Sequence, residues 1–539
     1  MVSTDHADRP AATEATGPTW PTGPTPVLAP AWAGGLAGLV AAACAMAAAE
    51  VAALLSGPGS VPVIAVGTAL IPLTPESVKE RAIGLFGTSD KTALIAGTCL
   101  LLAVVSFLAG VLARRRPSVG DAGIIAFAGL GALAAARAGV GGVGSMIPSA
   151  VAAVVGVAVL RALLTIVRRM EPPDDGSGVS RTCGPRRRAV LYGLGSGTAA
   201  ALAVGAAGLA GMRVRFGDAS ARTNVVLPAP AARATPQPTG ADPGVGAVAF
   251  RTDAADFYRI DTALFVPHID PATWQLRIHG MVRREVTIDF RTLLTRPLVE
   301  RDVTLTCVSN EVGGPLIGNA RWLGALLAPL LAEAGVSRDA DQLVSRDGHG
   351  MSIGTPLSAV TDGRDAMLAV GMNGAPLPFE HGFPVRMVVP GLYGYVSACK
   401  WVTDIEVTRF DAYDAYWVQR GWAARGPVKV SSRIDTPRRG RGVSPGPITV
   451  AGVAWAQHTG IAGVEVRVDD GDWVRATLAP VATADTWREW SWRWDARPGD
   501  HRLAVRATTR AGDVQTADEA GTVPDGATGL HVVPVTVSG

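Results

Sequence analysis

From His381 to Trp401 the chain reads HGFPVRMVVPGLYGYVSACKW. Gly382, Pro384, Pro390, Gly391 and Gly394 punctuate an apolar run, so the backbone is held in turns between short extended pieces. Turns of this kind let His381, Arg386 and Lys400 converge from loops on one anion, with Arg supplying a bidentate fork and Lys a point charge. The same residues also suit a surface hairpin with solvated charges. A second stretch, VTLTCVSNEVGG from Val303 to Gly314, carries a β-rich run into a cysteine and then a polar, glycine-containing turn. A thiolate at a strand end is placed to bind a soft metal or to act as a nucleophile. Taken by itself, Cys307 reads as a small buried apolar side chain, the usual fate of a free cysteine.

Around these stretches, from about 247 to 430, short strands alternate with helical pieces. WQLRIHG and MVRREVTID are strand-like, and WLGALLAPLLAEAG predicts an amphipathic helix closing at Gly335. AMLAVGMNGAPLP predicts a hairpin, because Asn373-Gly374 suits a tight primed turn. No βαβ rhythm and no GxGxxG after a strand is present, which argues against a dinucleotide fold. From about 443 onward the pattern is all-β. Val464, Val466 and Val468 alternate with charged residues before an Asp470-Gly471 turn; Trp490, Trp492 and Trp494, then Leu503, Val505 and Ala507, repeat the period of two. Such spacing predicts an immunoglobulin-like β-sandwich, with the tryptophans facing its core rather than forming a ligand platform.

Toward the N-terminus the composition changes abruptly. Residues 31–211 are rich in Ala, Gly, Val and Leu, whereas 240–539 hold most of the charge and tryptophan. Five stretches, near 31–55, 92–113, 120–138, 146–168 and 188–210, are long and apolar enough to cross a bilayer. The segment 61–73 is too short and too proline-broken to span. Glu50 and Arg161 are read as the intramembrane charges, near span ends where snorkelling suffices. Arg114 to Arg116, Arg168 with Arg169, and Arg186 to Arg188 fall on one side of five spans, which the positive-inside rule makes cytoplasmic. Lys79, Arg81 and Lys91 lie in the opposite loop, accompanied by Glu76, Glu80 and Asp90. Everything after residue 211 is thereby expected outside the cytoplasm. Pro185 to Leu191 (PRRRAVL) looks like a twin-arginine signal and equally like an ordinary positive-inside anchor. Residues 217–246, rich in Ala, Pro and Thr, are expected to form an unfolded tether.

The whole chain of 539 residues carries 49 basic and 46 acidic residues for a net charge of +3. No basic run interleaved with aromatics is present, so nucleic acid is not an expected partner. Cys44, Cys99, Cys183, Cys307 and Cys399 include no CxxC, which excludes a thiolate zinc cluster, attached c-type haem and a disulfide framework. None of the eight histidines lies in a span, so a bis-histidine haem in the helices is excluded as well.

Six motifs in one order carry a resemblance: Tyr258-Arg259-Ile260-Asp261, the TCVSN turn, Asn319 to Gly324 (NARWLG), MNGAPLP, HGFPVRMVVPG and Lys400-Trp401. Together, over about 250–430 and on into the sandwich, they resemble the sulfite oxidase family of molybdopterin enzymes. The resemblance implies a molybdenum–molybdopterin cofactor with Cys307 as metal ligand. It further implies that Tyr258, Asp347, His381, Arg386 and Lys400 bind the cofactor, and that Arg259 points to the metal's open position. Trp422 corresponds to the active-site tyrosine of animal and plant sulfite oxidases, with Tyr416 or Arg425 as substitutes. Those enzymes follow the Cys turn with paired arginines that help bind sulfite; this chain has Glu311 and Val312 there. A cofactor loaded in the cytoplasm adds weight to the twin-arginine reading of Arg186 and Arg187.

The expected architecture is therefore multi-domain. A disordered N-terminus (1–30) precedes an all-α transmembrane bundle (31–211) and a Pro/Ala-rich linker (212–246). An α+β molybdopterin domain (247–435) and an immunoglobulin-like, dimerisation-type domain (436–539) follow. The expected function is membrane-anchored, two-electron oxo transfer on a small sulfur (sulfite-like) or related substrate, with a quinone or cytochrome as electron partner and a homodimer as the assembly. Its rivals are an S- or N-oxide reductase on the same fold and a cofactor-free, membrane-tethered binding or assembly protein.

Overall fold

A computed structural model of the chain describes residues 31–70, 90–137, 142–168 and 184–538, apart from 217–219 and the single positions 243, 245, 264, 349 and 441. The expected disordered N-terminus, the loop holding Glu76, Lys79, Glu80 and Arg81, and Arg169 and Cys183 lie outside the described residues. So do the side chains of Asp90, Lys91 and Arg186 to Arg188.

The N-terminal half is helical: α1 (Ala31–Ala52), α2 (Pro62–Leu70), α3 (Asp90–Ala113), α4 (Pro117–Arg137), α5 (Ile147–Arg168) and α6 (Gly184–Phe216). All but the nine-residue α2 are long and apolar enough to cross a membrane. Gly34 and Gly38 of α1 lie so close to Gly110 of α3 that a β-carbon on any of them would strike the opposing backbone. Small residues are what allow two helices to approach this far. Arg168 donates to the Arg114 carbonyl at 3.3 Å, so the basic ends of α3 and α5 meet at one end of the bundle. Arg161 does more than snorkel: its Nε and Nη2 donate to Asp121 Oδ2 at 3.1 and 2.7 Å. Asp121, absent from the sequence reading, is buried. Pairing is the way such a charge is retained among apolar helices.

The C-terminal half opens with a mixed five-stranded sheet ordered β2-β1-β10-β5-β6: β1 (Gln275–Gly280), β2 (Val286–Asp289), β5 (Gln342–Asp347), β6 (Ser352–Pro356) and β10 (Val402–Thr408). A second sheet contains β3 (Leu298–Thr306), β4 (Ile317–Leu326), β7 (Met367–Met372) and β8 (Ala375–Pro376), with β9 (Arg386–Val388) paired to β7. The predicted hairpin is β7–β8, and Asn373 and Gly374 both take positive φ. The helix predicted over WLGALLAPLLAEAG forms only from Leu327 to Ala334, closed by Gly335 in the left-handed region. Trp322 to Leu326 belong instead to β4, which pairs on both edges and is apolar on both faces, a pattern that mimics a helix. MVRREVTID is strand only from Val286, because Gly280 at φ 89° turns the chain first.

Residues 431–537 form the expected sandwich. One sheet orders β11 (Ser431–Thr436), β12 (Gly446–Trp455), β16 (Arg488–Ala496) and β15 (Thr477–Leu478). The other orders β14 (Val474–Arg475), β13 (Ile461–Val468), β17 (Gly499–Thr509) and β18 (His531–Val537). Trp490 and Trp494 are buried between them with Val464, Val466, Leu503, Val505 and Ala507.

Of the tether expected over 217–246, the described stretch from Arg222 to Ala241 is instead laid on the domain. Ala231 donates to the Leu298 carbonyl and Glu300 donates to the Ala232 carbonyl, each at 2.8 Å. Arg222 donates to the carbonyls of Pro376 and Leu377, and Ala234 and Ala241 are buried. The physical reason is β3: an edge strand presents unpaired backbone groups, and an extended Pro/Ala-rich segment satisfies them without a core of its own.

Candidate functional site

Cys307 directly follows β3 and is buried. Its N–H donates to the Leu316 carbonyl at 3.0 Å, and Asn310 donates back to the Cys307 carbonyl at 3.1 Å while its side-chain oxygen accepts from Leu316 at 2.8 Å. The turn is thus closed at both ends. The sandwich fixes the strand behind it: Gln457 Nε2 donates to Thr304 O at 3.1 Å and to Thr306 Oγ1 at 2.9 Å. Burial pushes the Cys307 thiol up, opposed by hydrogen bonding from Ser309 and by the charge of Lys400.

The thiol opens onto a cavity of about 140 Å³ that Tyr258, Asp347, His381, Arg386, Lys400 and Trp422 also line. Seven of the eight residues singled out in the sequence therefore meet at one place. Arg259 is the exception. Its Nε donates to Asp261 at 2.8 Å and its side chain is 36% exposed, outside the lining. The carboxylate of Asp261, by contrast, lines the cavity and also accepts from Lys400 Nζ at 2.8 Å. Asp261 had no assigned role in the sequence. Its signal is the spacing Arg-x-Asp, with a distant lysine that only the fold brings near.

Burial, only partly offset by Asp261, pushes Lys400 down to about 8. Arg386 sits 4.9 Å over the Trp322 ring, and burial pushes it down to about 10. Its Nη1 reaches the His381 carbonyl at 3.2 Å and its Nε the Met387 carbonyl at 3.4 Å, with no carboxylate partner among the described residues. Burial lowers His381 to about 4, so the imidazole is neutral near pH 7. Because Nε2 lies 2.9 Å from the Ala254 carbonyl, which only accepts, that nitrogen carries the proton and Nδ1 the lone pair. Gly382 makes the loop possible: at φ 107° its missing Cβ would lie 3.0 Å from Arg386 Cβ and 3.2 Å from Lys400 Cα. Tyr258 is held protonated by burial first and by the nearby Cys307. The lining continues with Ile260, Met351, Ile353, Tyr395 and Trp417. Trp422 stands 5.9 Å from Tyr395 and 6.4 Å from Trp417 between ring centres. Tyr416 and Arg425 lie outside the lining; cations cover the Tyr416 and Phe410 rings, the second of them Arg425 itself.

Residues 263–417 match the family model described as an oxidoreductase molybdopterin binding domain, and 431–505 match a bacterial Ig domain. An uncharacterized oxidoreductase, YuiH of Bacillus subtilis (strain 168), is 30% identical over 162 residues, which is 30% of this chain and 78% of that protein. Mitochondrial sulfite oxidase of Homo sapiens is 31% identical over 276 residues, 42% of this chain and 49% of that protein. The chain belongs to the sulfite oxidase family of molybdopterin oxidoreductases. It spans about half the length of the mitochondrial sulfite oxidases it matches. Among solved structures, the sulfane dehydrogenase SoxCD from Paracoccus pantotrophus aligns with 53% of this chain and 81% of its own at 23% identity and a TM-score of 0.48.

The cofactor of a sulfite oxidase family oxidoreductase is molybdenum–molybdopterin, and the side chains here fit it. A buried guanidinium without a carboxylate costs several kcal/mol of solvation, and an anionic group in the cavity relieves that cost. The thiol in the same wall is a donor suited to a soft metal.

Proposed function

We propose that this oxidoreductase is anchored in the plasma membrane by its five long helices and works at the extracytoplasmic face. There it transfers an oxygen atom to or from a small sulfur compound. The observation that carries the reading is the single cavity in which Cys307, His381, Arg386 and Lys400 meet. Cys307 would hold molybdenum through Sγ, and Arg386 and Lys400 would neutralise the pterin phosphate. His381 would accept a hydrogen bond at Nδ1, and Asp347 and Tyr258 would complete the polar contacts. When bound, the cofactor supplies the two-electron oxygen-atom chemistry. Asp261 fixes the Lys400 ammonium and balances Arg259, so Arg259 acts through that carboxylate. Trp417, Trp422 and Tyr395 exclude water from one wall, which strengthens the electrostatic contacts made inside.

A second reading is favoured by that wall. Its side chains are aromatic or aliphatic, and Glu311 and Val312 add no positive charge to the lining. A neutral S- or N-oxide suits such a surface better than a dianion does. The test is metal and pterin analysis of the host-loaded protein, with turnover of sulfite and of a sulfoxide assayed through artificial electron carriers. Near-stoichiometric molybdenum and pterin are expected, with turnover abolished in Cys307→Ser. A Cys307→Ser protein with full turnover would sink the assignment, and a well-folded protein without pterin would favour the binding-protein alternative.

A further inference from the structure

A second and larger cavity, about 570 Å³, lies among α1 to α5. Its wall is almost wholly apolar, with Ala42, Met46 and Phe127 among its side chains, and Glu50 supplies its one carboxylate among the described residues. That volume falls within the range of small-molecule sites. A ligand that matches this lining is apolar over most of its surface and polar where Glu50 meets it.

Its position narrows the choice. Val61 to Ile64 line the cavity, and Gly59, just before them, abuts the catalytic half: a β-carbon there would lie 2.8 Å from the Phe265 ring. Phe265 follows by two residues Ala263, which lines the cavity around Cys307. Val61 in the wall of one cavity and Ala263 in the wall of the other are thus each two residues from the Gly59–Phe265 contact. The reaction at the soluble site, on the reading above, moves two electrons. The helices carry no histidine through which they could hold haem.

We infer that the helical cavity binds an isoprenoid quinone, with Glu50 partnering a ring oxygen, and that the quinone is the electron partner of the soluble site. This rests on the oxidoreductase reading of that site. The balance closes in either direction. A substrate that gains oxygen from water releases two electrons and two protons, which convert the quinone to its quinol. A substrate that loses oxygen as water takes the same two electrons and two protons from the quinol.

The experiment uses the full-length, cofactor-loaded protein in nanodiscs of quinone-free phosphatidylcholine. A short-tail naphthoquinone is titrated by equilibrium dialysis into wild type, Ala42→Trp and Glu50→Gln, with molybdenum and pterin measured in each. Saturable binding near one per chain is expected in wild type, weakened about tenfold when bulk fills the cavity or the carboxylate is lost. The ratio of quinone-linked to ferricyanide-linked reoxidation of the dithionite-reduced protein should fall by a similar factor. Cofactor-loaded protein with no saturable quinone binding, or with binding unmoved by Ala42→Trp and Glu50→Gln, overturns the inference and leaves the reading of the soluble site intact. Extraction of phospholipid alone from the cavity does the same. Specific quinone binding to protein that lacks molybdenum and pterin supports the cavity assignment while removing the soluble-site reading.

Discussion

Glu489 lies buried on β16 with neither carboxylate oxygen hydrogen-bonded among the described residues. Burial first, then the charges of Asp242 and Asp435, push its carboxyl from an ordinary 4.5 up to about 8. The folded pKa is the higher one, so its contribution to stability is complete below about 4.5 and is lost as pH rises through 8. Glu489→Gln should therefore leave the melting temperature unchanged at pH 4 and stabilise the sandwich on the order of 2–4 kcal/mol at pH 8. Thermal melts followed by tryptophan fluorescence across that range check it; an equal shift at both pH values would rule out a protonated Glu489. Arg386 poses the opposite problem, a buried cation relieved only when an anion enters. Arg386→Met should leave the cofactor-free protein as stable as wild type or more so, by about 1–2 kcal/mol, while abolishing pterin retention. Melts of protein from a cofactor-deficient host, set beside pterin content from a competent one, separate the two effects. Loss of stability without cofactor would mean that the guanidinium is structural.

At the scale of elements, β3 couples two domains. Its last residues are held by Gln457 from the sandwich, Thr304 Oγ1 also accepts from the Trp487 N–H at 2.8 Å, and Arg433 reaches the Gly314 carbonyl at 2.9 Å. Replacing Gln457 with Leu removes two hydrogen bonds and leaves a buried carbonyl unpaired, for a cost of about 1–3 kcal/mol. The expected signature is faster loss of molybdenum on dialysis with an unchanged far-UV spectrum. Metal retention equal to wild type would mean that the Cys307 turn holds itself. The contact also marks where the sequence stopped being legible. Cys307, His381, Arg386 and Lys400 stood out because turn-forming Gly and Pro flank them, and the β7–β8 hairpin because Asn-Gly fixes its backbone locally. Asp261, Tyr395 and Gln457 did not, since their partners lie far away in sequence: Lys400 for Asp261, Ala423 for Tyr395, and Thr304 for Gln457. The strand Trp322–Leu326 was hidden by burial on both faces. The 217–246 strap was hidden because composition reports what a segment can bury alone and not the edge it can cover.

For the whole molecule, the proposed extracytoplasmic placement requires that a chain with helices at one end deliver a folded cofactor domain at the other. Arg168 against the Arg114 carbonyl places two basic clusters at one end of the bundle, and five crossings would set the soluble half at the other end from the N-terminus. On the proposed extracytoplasmic placement, the four earlier long helices need only ordinary insertion, whereas α6, which begins at Gly184 and carries Arg186 and Arg187 in its first turn, would have to draw a folded domain across behind it. If the arginine pair is read as an export signal, Arg186→Lys with Arg187→Lys preserves charge and anchoring yet strands the soluble half inside. If the pair serves only as a positive-inside anchor, two lysines are equivalent and nothing changes. Protease treatment of intact spheroplasts distinguishes these outcomes. Wild type should lose its C-terminal half to added protease, and the double variant should become protected at normal abundance and with its pterin retained. Protection without pterin would instead report failed cofactor loading, and a double variant digested like wild type would assign α6 to ordinary insertion.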